Sequence, residues 1–252
     1  MTLSTVKNRM DELHLIGMLS VTENVLSEFN KGDMHVVEVL DKLLESEWSY
    51  RLCESTRKRI HRSKIRKGAC LEEFDLTYSR GMNKAELRKL AELEWCYEGK
   101  PLLLIGPTGM GKTYLARALG LLACERGKSS IFMSTTDFLE NQALARSANG
   151  YLKFREKLTR PDLLILDDFG MRKFSSQEAE DLRDIIEQRS YGKSTLITTQ
   201  LPTDHWGEVI GDEIILDALV DRLESPGIII ELIGESYRPR LNKKVVKNQA
   251  QE

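Results

Sequence analysis

The sequence predicts an α/β fold: a five-stranded parallel sheet flanked by helices, preceded by a small all-helical region. Three observations carry this. Apolar residues in the first third recur at helical spacing. From Gly99 onward, short apolar runs alternate with helical patterns, as a parallel sheet with crossover helices requires. Between the first such run and its following helix lies Gly106-Pro107-Thr108-Gly109-Met110-Gly111-Lys112-Thr113, which fits G-x-x-x-x-G-K-[ST].

Taken in order, Leu13, Ile16, Leu19, Val25, Leu26 and Phe29 mark a first helical stretch, and Lys31-Gly32-Asp33 a turn. Val36, Val37, Leu40, Leu43, Leu44, Trp48 and Leu52 mark a longer amphipathic helix. These stripes are expected to pack internally, with a share of the surface left for a partner. Asp75 to Gly81 reads as a linker, and Asn83 as the cap of a helix carrying Leu87, Leu90 and Leu93. The expected strands are Pro101–Ile105, Ser130–Ser134, Leu163–Asp167, Ser194–Thr198 and Ile228–Leu232. Asp137 is expected to cap the helix through Phe138 and Leu139. Ser175-Ser176 with Glu178 opens a helix running to about Tyr191, with Gly192 past its end. The tail after Lys243 is basic, then polar, and is expected to fray. The domains expected are residues 1–68, helical, with oligomer, partner and DNA contacts; 69–98, a linker and leading helix; 99–243, the nucleotide-binding domain; and 244–252, the tail.

Charged residues are 30% and hydrophobic ones 41%, an ordinary globular balance that excludes a membrane-spanning or disordered chain. No apolar run approaches a membrane span, and Thr2 to Asp11 is too polar for a secretory segment. A cytoplasmic setting is expected. Cys53, Cys70, Cys96 and Cys124 form no C-x-x-C pair, which argues for free thiols over a zinc site.

The octapeptide's residue types suit phosphate binding. Glycines adopt positive φ and approach phosphates without a Cβ clash. The loop amides then form an anion-binding nest at a helix N-terminus. Lys112 adds a point charge for the β- and γ-phosphates, and the Thr113 hydroxyl suits Mg²⁺. Leu163-Leu164-Ile165-Leu166-Asp167-Asp168 is a buried strand delivering two carboxylates at its C-terminal edge, beside that loop. Asp167 is expected in the Mg²⁺ shell and Asp168 on the attacking water. A second acid there favours hydrolysis over transfer to a small-molecule acceptor.

With these motifs, the chain resembles IstB-type AAA+ ATPases, helpers of a bacterial insertion-sequence family and relatives of the helicase loader DnaC. The resemblance rests on the octapeptide, Asp167-Asp168-Phe169-Gly170, Thr198-Thr199-Gln200-Leu201-Pro202, Trp206-Gly207-Glu208, Ala218-Leu219-Val220-Asp221-Arg222-Leu223 and Gly234-Glu235-Ser236-Tyr237-Arg238. It covers nearly the whole chain, including Leu13-His14-Leu15-Ile16-Gly17-Met18. It implies an AAA+ nucleotide-binding domain and a Mg-ATP-dependent homo-oligomer, ring or filament, on double-stranded DNA. Such an oligomer deforms target DNA and recruits a transposase. It places Gly106 to Thr113 and Tyr114 at the nucleotide and Thr199-Gln200 at the sensor of the γ-phosphate, where many relatives have Ser-Asn. Arg222 falls on the arginine that acts in trans on a neighbour's nucleotide, and Arg238 on a second sensor. Position 168 carries Asp where many AAA+ proteins carry Glu.

The residues offer two candidate DNA patches. Arg57, Lys58, Arg59, Arg62, Lys64, Arg66 and Lys67 lie in a stretch without an acid, suited to phosphate contacts. Arg146, Lys153 and Arg155 are interleaved with Tyr151 and Phe154 between the second and third strands. Such aromatics are more often core than stacking platforms. The rival functions are a DnaC-like helicase loader, which shares the ATPase core, and a DNA-architectural protein in which ATP is only structural.

Overall fold

The structure, a computed structural model, describes residues 2–32, 34–66, 68–77 and 81–237. The chain divides into two compact units, Met1–Lys58 and Arg59–Glu252. The first unit therefore ends before the expected position 68, and the segment 69–98 belongs to the second unit.

The first unit contains α1 (Leu3–Glu12), α2 (Ile16–Asn30) and most of α3 (Val36–Ser63). Thr2 caps α1. The N-terminus of α2 has no side-chain cap of its own. Glu47 of α3 takes that role, accepting from the Gly17 amide at 2.8 Å and the Met18 amide at 3.2 Å. Its carboxylate is buried and its proton affinity lies below the usual glutamate range: burial opposes this, but Arg51 and the two amides prevail. Gly17 is obligatory, since a Cβ there would lie 2.5 Å from the Ser46 carbonyl. The apolar stripe of α3 departs from expectation. Val36, Val37, Leu40, Leu44, Trp48 and Leu52 are exposed rather than packed internally.

The second unit is a three-layer α/β/α domain. After the end of α3 its elements are α4 (Lys84–Glu92) and α5 (Glu94–Tyr97), then β1 (Leu102–Ile105), α6 (Lys112–Glu125) and β2 (Ser130–Ser134). α7 (Thr135–Ser147), α8 (Tyr151–Thr159), β3 (Leu163–Phe169), α9 (Ser176–Arg189) and β4 (Ser194–Thr199) follow. A 3₁₀ turn at Thr203–His205, α10 (Gly207–Ile210), α11 (Glu213–Glu224) and β5 (Ile228–Glu231) complete it. The five strands are parallel, in the order β2-β3-β4-β1-β5.

Local sequence explains most boundaries. Asn83 and Ser175 form capping boxes with Glu86 and Glu178. The cap of α7 is Ser134, not Asp137: the Ser134 hydroxyl accepts from the Asp137 amide, and the helix starts at Thr135. α4 stops one residue short of Leu93, which takes a left-handed φ of 61° and is fully buried.

Strand alternation builds two cores. Leu102, Leu104, Leu163, Ile165 and Leu196 face α6, α4 and α5. Leu103, Ile105, Leu164, Leu166 and Ile197 face the opposite layer, with Phe138, Leu182, Ile185 and Leu219. Burying a leucine side chain stabilises by roughly 2 kcal/mol, so these strands are the stability of the domain. A buried Arg189 ties the lower sheet edge, donating to the carbonyls of Leu158, Pro161 and Ser194. Burial holds its guanidinium near a pKa of about 9.

Candidate nucleotide-binding site

The site forms where β1, β3 and β4 end together. β1 is fully buried, so the chain leaves the sheet at Gly106 and must turn at once. Gly106, Gly109 and Gly111 take φ of +146°, +80° and +96°. Those angles and the crowding require glycine: a Cβ on Gly106 would sit 2.1 Å from the Leu232 carbonyl. Gly111 caps α6 without a side-chain bond, so the first-turn amides of α6 carry their positive end toward the loop. Lys112 is buried, and its ammonium donates to the loop carbonyls of Gly106 at 2.6 Å and Pro107 at 2.9 Å.

Opposite the loop, Asp167 shares strand parity with Leu163 and Ile165, so it faces α6. The Thr113 hydroxyl donates to Asp167 Oδ1 at 2.9 Å, and the Thr198 hydroxyl to the same oxygen at 2.6 Å. The carboxyl is held above the ordinary aspartate range, first by burial and further by the adjacent Asp168 charge. The hydroxyls of Thr198 and Thr113 and the Arg117 charge oppose that shift. Arg117, one turn beyond Thr113, lies over the Phe132 ring at 4.9 Å.

Asp168 is exposed and takes φ of 56°, in the left-handed region that disfavours a non-glycine residue. A register shift between Leu166 and Phe169 accompanies it. Its amide donates to Thr198 Oγ1 at 3.0 Å. Beneath it, Phe169 packs on Trp206 with centroids 4.4 Å apart, and the indole donates to the Leu201 carbonyl at 3.0 Å. Trp206 of the Trp206-Gly207-Glu208 signature is thus a pillar under this strand end.

Donor chemistry fits Mg²⁺. Thr113 and Asp167 offer hard oxygens, and Mg²⁺ takes one or two protein ligands with phosphates and waters. Among the described residues no group of three His, Cys, Asp or Glu side chains is placed to hold a metal alone.

The expected site residues do not all meet. Gly106 to Thr113 and Asp167 converge. Tyr114 turns its hydroxyl to the Cys70 carbonyl at 3.0 Å and Glu73 at 3.2 Å. Gln200 lies past the end of β4, exposed, with its amide 3.6 Å from the Met171 sulfur. Thr199 faces the other way and donates to the Phe169 carbonyl at 2.9 Å. Thr198, which sequence reasoning passes over, is the β4 residue on Asp167. Strand parity with Leu196 is the available signal. Arg222 donates to the Ala218 carbonyl at 2.9 Å and pairs with Glu187 at 3.3 Å. Arg238 lies outside the described residues.

The cationic candidates also divide. Lys58, Arg62, Lys64 and Arg66 are exposed, while Arg57 pairs with Glu54 at 2.8 Å. Arg59 is half-buried and donates to the Cys124 carbonyl at 2.8 Å. Lys67 lies outside the described residues. In the second patch Lys153 is exposed and Arg155 half-buried. Arg146 is taken by the fold: its guanidinium forks onto the buried Asp181 carboxylate and stacks 4.2 Å above Tyr151. Phe154 is core, 5.7 Å from Phe138. Lys157 of α8, absent from either sequence patch, sits beside Lys64. Its pKa is pulled down first by burial and then by that neighbouring ammonium.

Residues 8–245 match the family described as IstB-like ATP binding protein. The chain belongs to that family. An insertion-sequence ATP-binding protein of Sinorhizobium fredii is 35% identical over 94% of this chain and 97% of its own. One of Mycobacterium tuberculosis is 33% identical over 93% and 94%. Among solved structures, AMPPCP-bound DnaA from Aquifex aeolicus superposes with TM-score 0.59, at 22% identity, over 73% of this chain and 56% of that one. The DnaC helicase loader does so with TM-score 0.53, at 23% identity, over 66% and 97%. These neighbours show the AAA+ phosphate-loop fold. In this IstB-like chain no helix among the described residues is long and apolar enough to cross a membrane.

Proposed function

We propose that this IstB-like protein is an ATP-dependent, DNA-binding oligomeric helper of transposition. It binds and remodels double-stranded target DNA and recruits and stimulates a transposase. Mg-dependent hydrolysis of ATP to ADP and phosphate controls its assembly. The observation that carries the reading is the convergence of Lys112, Thr113, Asp167 and Thr198 where β1, β3 and β4 end. It occurs in a chain whose relatives along most of its length are ATP-binding proteins of insertion sequences.

Each residue then has a task. The loop amides and Lys112 grip the phosphates. Thr113 and Asp167 hold Mg²⁺, which supplies charge neutralisation at the phosphate oxygens when bound. Asp168, exposed at the strand end, orients the attacking water. Arg222 exchanges its contact with Glu187 for a neighbouring subunit's nucleotide, so that turnover depends on assembly. Gln200 and Arg238 complete the sensing of the γ-phosphate from the loop and the C-terminal segment. Lys58, Arg62, Lys64 and Arg66 contact DNA phosphates without reading bases.

A helicase-loader role is favoured less. The likeness to DnaC covers two thirds of the chain, whereas the insertion-sequence relatives match along nearly all of it. Electron microscopy of the full chain with duplex DNA tests the proposal. Closed or filamentous assemblies on DNA in ATP, dispersed in ADP, are expected. Identical particles in both nucleotides would refute the assembly role, and a pull-down that retains a replicative helicase but not the transposase would favour the loader.

A further inference from the structure

Tyr237, within the Gly234–Arg238 signature, joins three segments remote in sequence. Its backbone N–H donates to the Gly109 carbonyl at 2.9 Å. Its hydroxyl donates to Asp75 Oδ2 at 2.6 Å. Just before it, Ser236 lies so close to the loop that a Cβ on Gly109 would fall 2.1 Å from its hydroxyl. Leu232 holds the start of the same segment, donating its amide to the Ile105 carbonyl at 2.7 Å. Residues 232–237 therefore run against the phosphate loop.

Asp75 is itself fixed. Its Oδ1 accepts from the Thr77 amide at 3.0 Å and the Thr77 hydroxyl at 2.6 Å, which leaves Oδ2 directed to Tyr237. The preceding residues are clamped to α6 by Tyr114. That hydroxyl meets the Cys70 backbone on both its N–H and its carbonyl at 3.0 Å, and the Tyr114 ring stacks on Phe74 at 6.3 Å. Tyr237 is thus braced from the helix that follows the loop while it grips the loop itself.

The grip has a stereochemical consequence. A peptide unit is planar and trans, so the carbonyl of Gly109 and the amide of Met110 point in opposite directions. Gly109, at φ +80°, has few restraints of its own on that plane. Drawing its carbonyl to Tyr237 sets the direction of the Met110 amide, and phosphate binding requires loop amides in one convergent set. We propose that Tyr237 is a positioning residue for phosphate binding: its hydroxyl is locked by Asp75, and its amide holds the Gly109–Met110 peptide in the orientation a nucleotide's phosphates require. This rests on the nucleotide-site reading above. It adds that the segment ahead of α4 and the segment after β5 jointly set the loop's affinity.

The test is calorimetric titration of the full chain with Mg-ATP, with melting temperatures measured in parallel without nucleotide. Tyr237→Phe and Asp75→Ala are each expected to weaken binding by about tenfold, the scale of a charge-assisted hydrogen bond. The double variant should be no weaker than either single one, because both remove the same bond. Asp75→Asn, whose oxygen still accepts from Thr77 while its amide nitrogen donates to the Tyr237 hydroxyl, should recover part of the affinity. Tyr237→Phe retains the ring and tests the idea even if Asp75→Ala does not fold. Wild-type protein that takes up no Mg-ATP would overturn the nucleotide reading itself. Wild-type binding with unchanged affinity in Tyr237→Phe, additive losses in the double variant, or losses that only track melting temperature would overturn the positioning role alone.

Discussion

The Thr198 hydroxyl donates to Asp167 Oδ1 at 2.6 Å while accepting the Asp168 amide at 3.0 Å. One side chain of β4 thereby positions both acids of β3. Replacing it with valine leaves a buried carboxylate and a strained backbone each short of a partner, at a cost of about 1–3 kcal/mol. Thr198→Val is expected to lower the rate of phosphate release about tenfold or more, and Thr198→Ser to keep most of it. A valine variant with wild-type turnover would remove Thr198 from the site.

Asp167 sets a pH dependence. Burial, with the Asp168 charge, raises its pKa above the ordinary 3.8, so it takes up a proton at higher pH than a free aspartate. Proton and Mg²⁺ compete for that carboxylate. Mg-dependent nucleotide affinity is therefore expected to fall with falling pH, beginning above the range in which ordinary carboxylates titrate. For stability the sign is opposite. A raised carboxyl pKa means the folded chain binds the proton more readily than the unfolded one, so nucleotide-free protein gains from this group as pH falls through its folded pKa. Asp167→Asn should flatten both trends, measured by titration and by thermal melting across pH.

Arg146 is expected to matter for stability rather than for DNA. Its partner Asp181 is buried, and Arg146 is over a third exposed. Arg146→Ala strands that carboxylate and should cost about 2 kcal/mol, less than breaking a fully buried pair. Burial raises the Asp181 pKa, but Arg146 and Gln142 overcome it, leaving it lowered. Its contribution is present above the ordinary aspartate pKa and is lost as pH falls through the lowered one. Chemical denaturation checks the cost; an unchanged midpoint would return Arg146 to the DNA candidates.

DNA binding is expected to depend on Arg62 and Lys64, both exposed. Arg62→Glu with Lys64→Glu should weaken binding alike across sequences. The log–log salt slope should shrink by about 0.9 for each DNA phosphate that is no longer neutralised. Fluorescence anisotropy over a salt series measures this, and unchanged affinity at moderate salt would discard the patch.

For Arg222, alanine substitution should preserve Mg-ATP affinity and abolish turnover. Mixing it with Lys112→Ala subunits should restore activity, since each supplies what the other lacks. If mixing restores nothing while each variant still assembles, the trans role fails.

Most of the second unit is legible locally. The octapeptide, the run of β2 at Ser130–Ser134 and the Ser175–Glu178 capping box depend on spacings of a few residues, and periodicity reports those. Alternation along β4 shows that Thr198 and Thr199 face opposite sides. It cannot show which side meets α6, and the expectation at Gln200 comes from the family resemblance instead. Arg146 reads as a free cation because Asp181 lies 35 residues away. The stripe of α3 reads as core because a pattern records apolarity and not whether another element covers it. Asp75 and Tyr237, 162 residues apart, meet only because β5 joins β1 at the sheet edge. By itself the sequence determined which residue types could bind phosphate and metal. The folded chain decided which of them share one oxygen, because that depends on strand order and register, set by packing across the whole sheet.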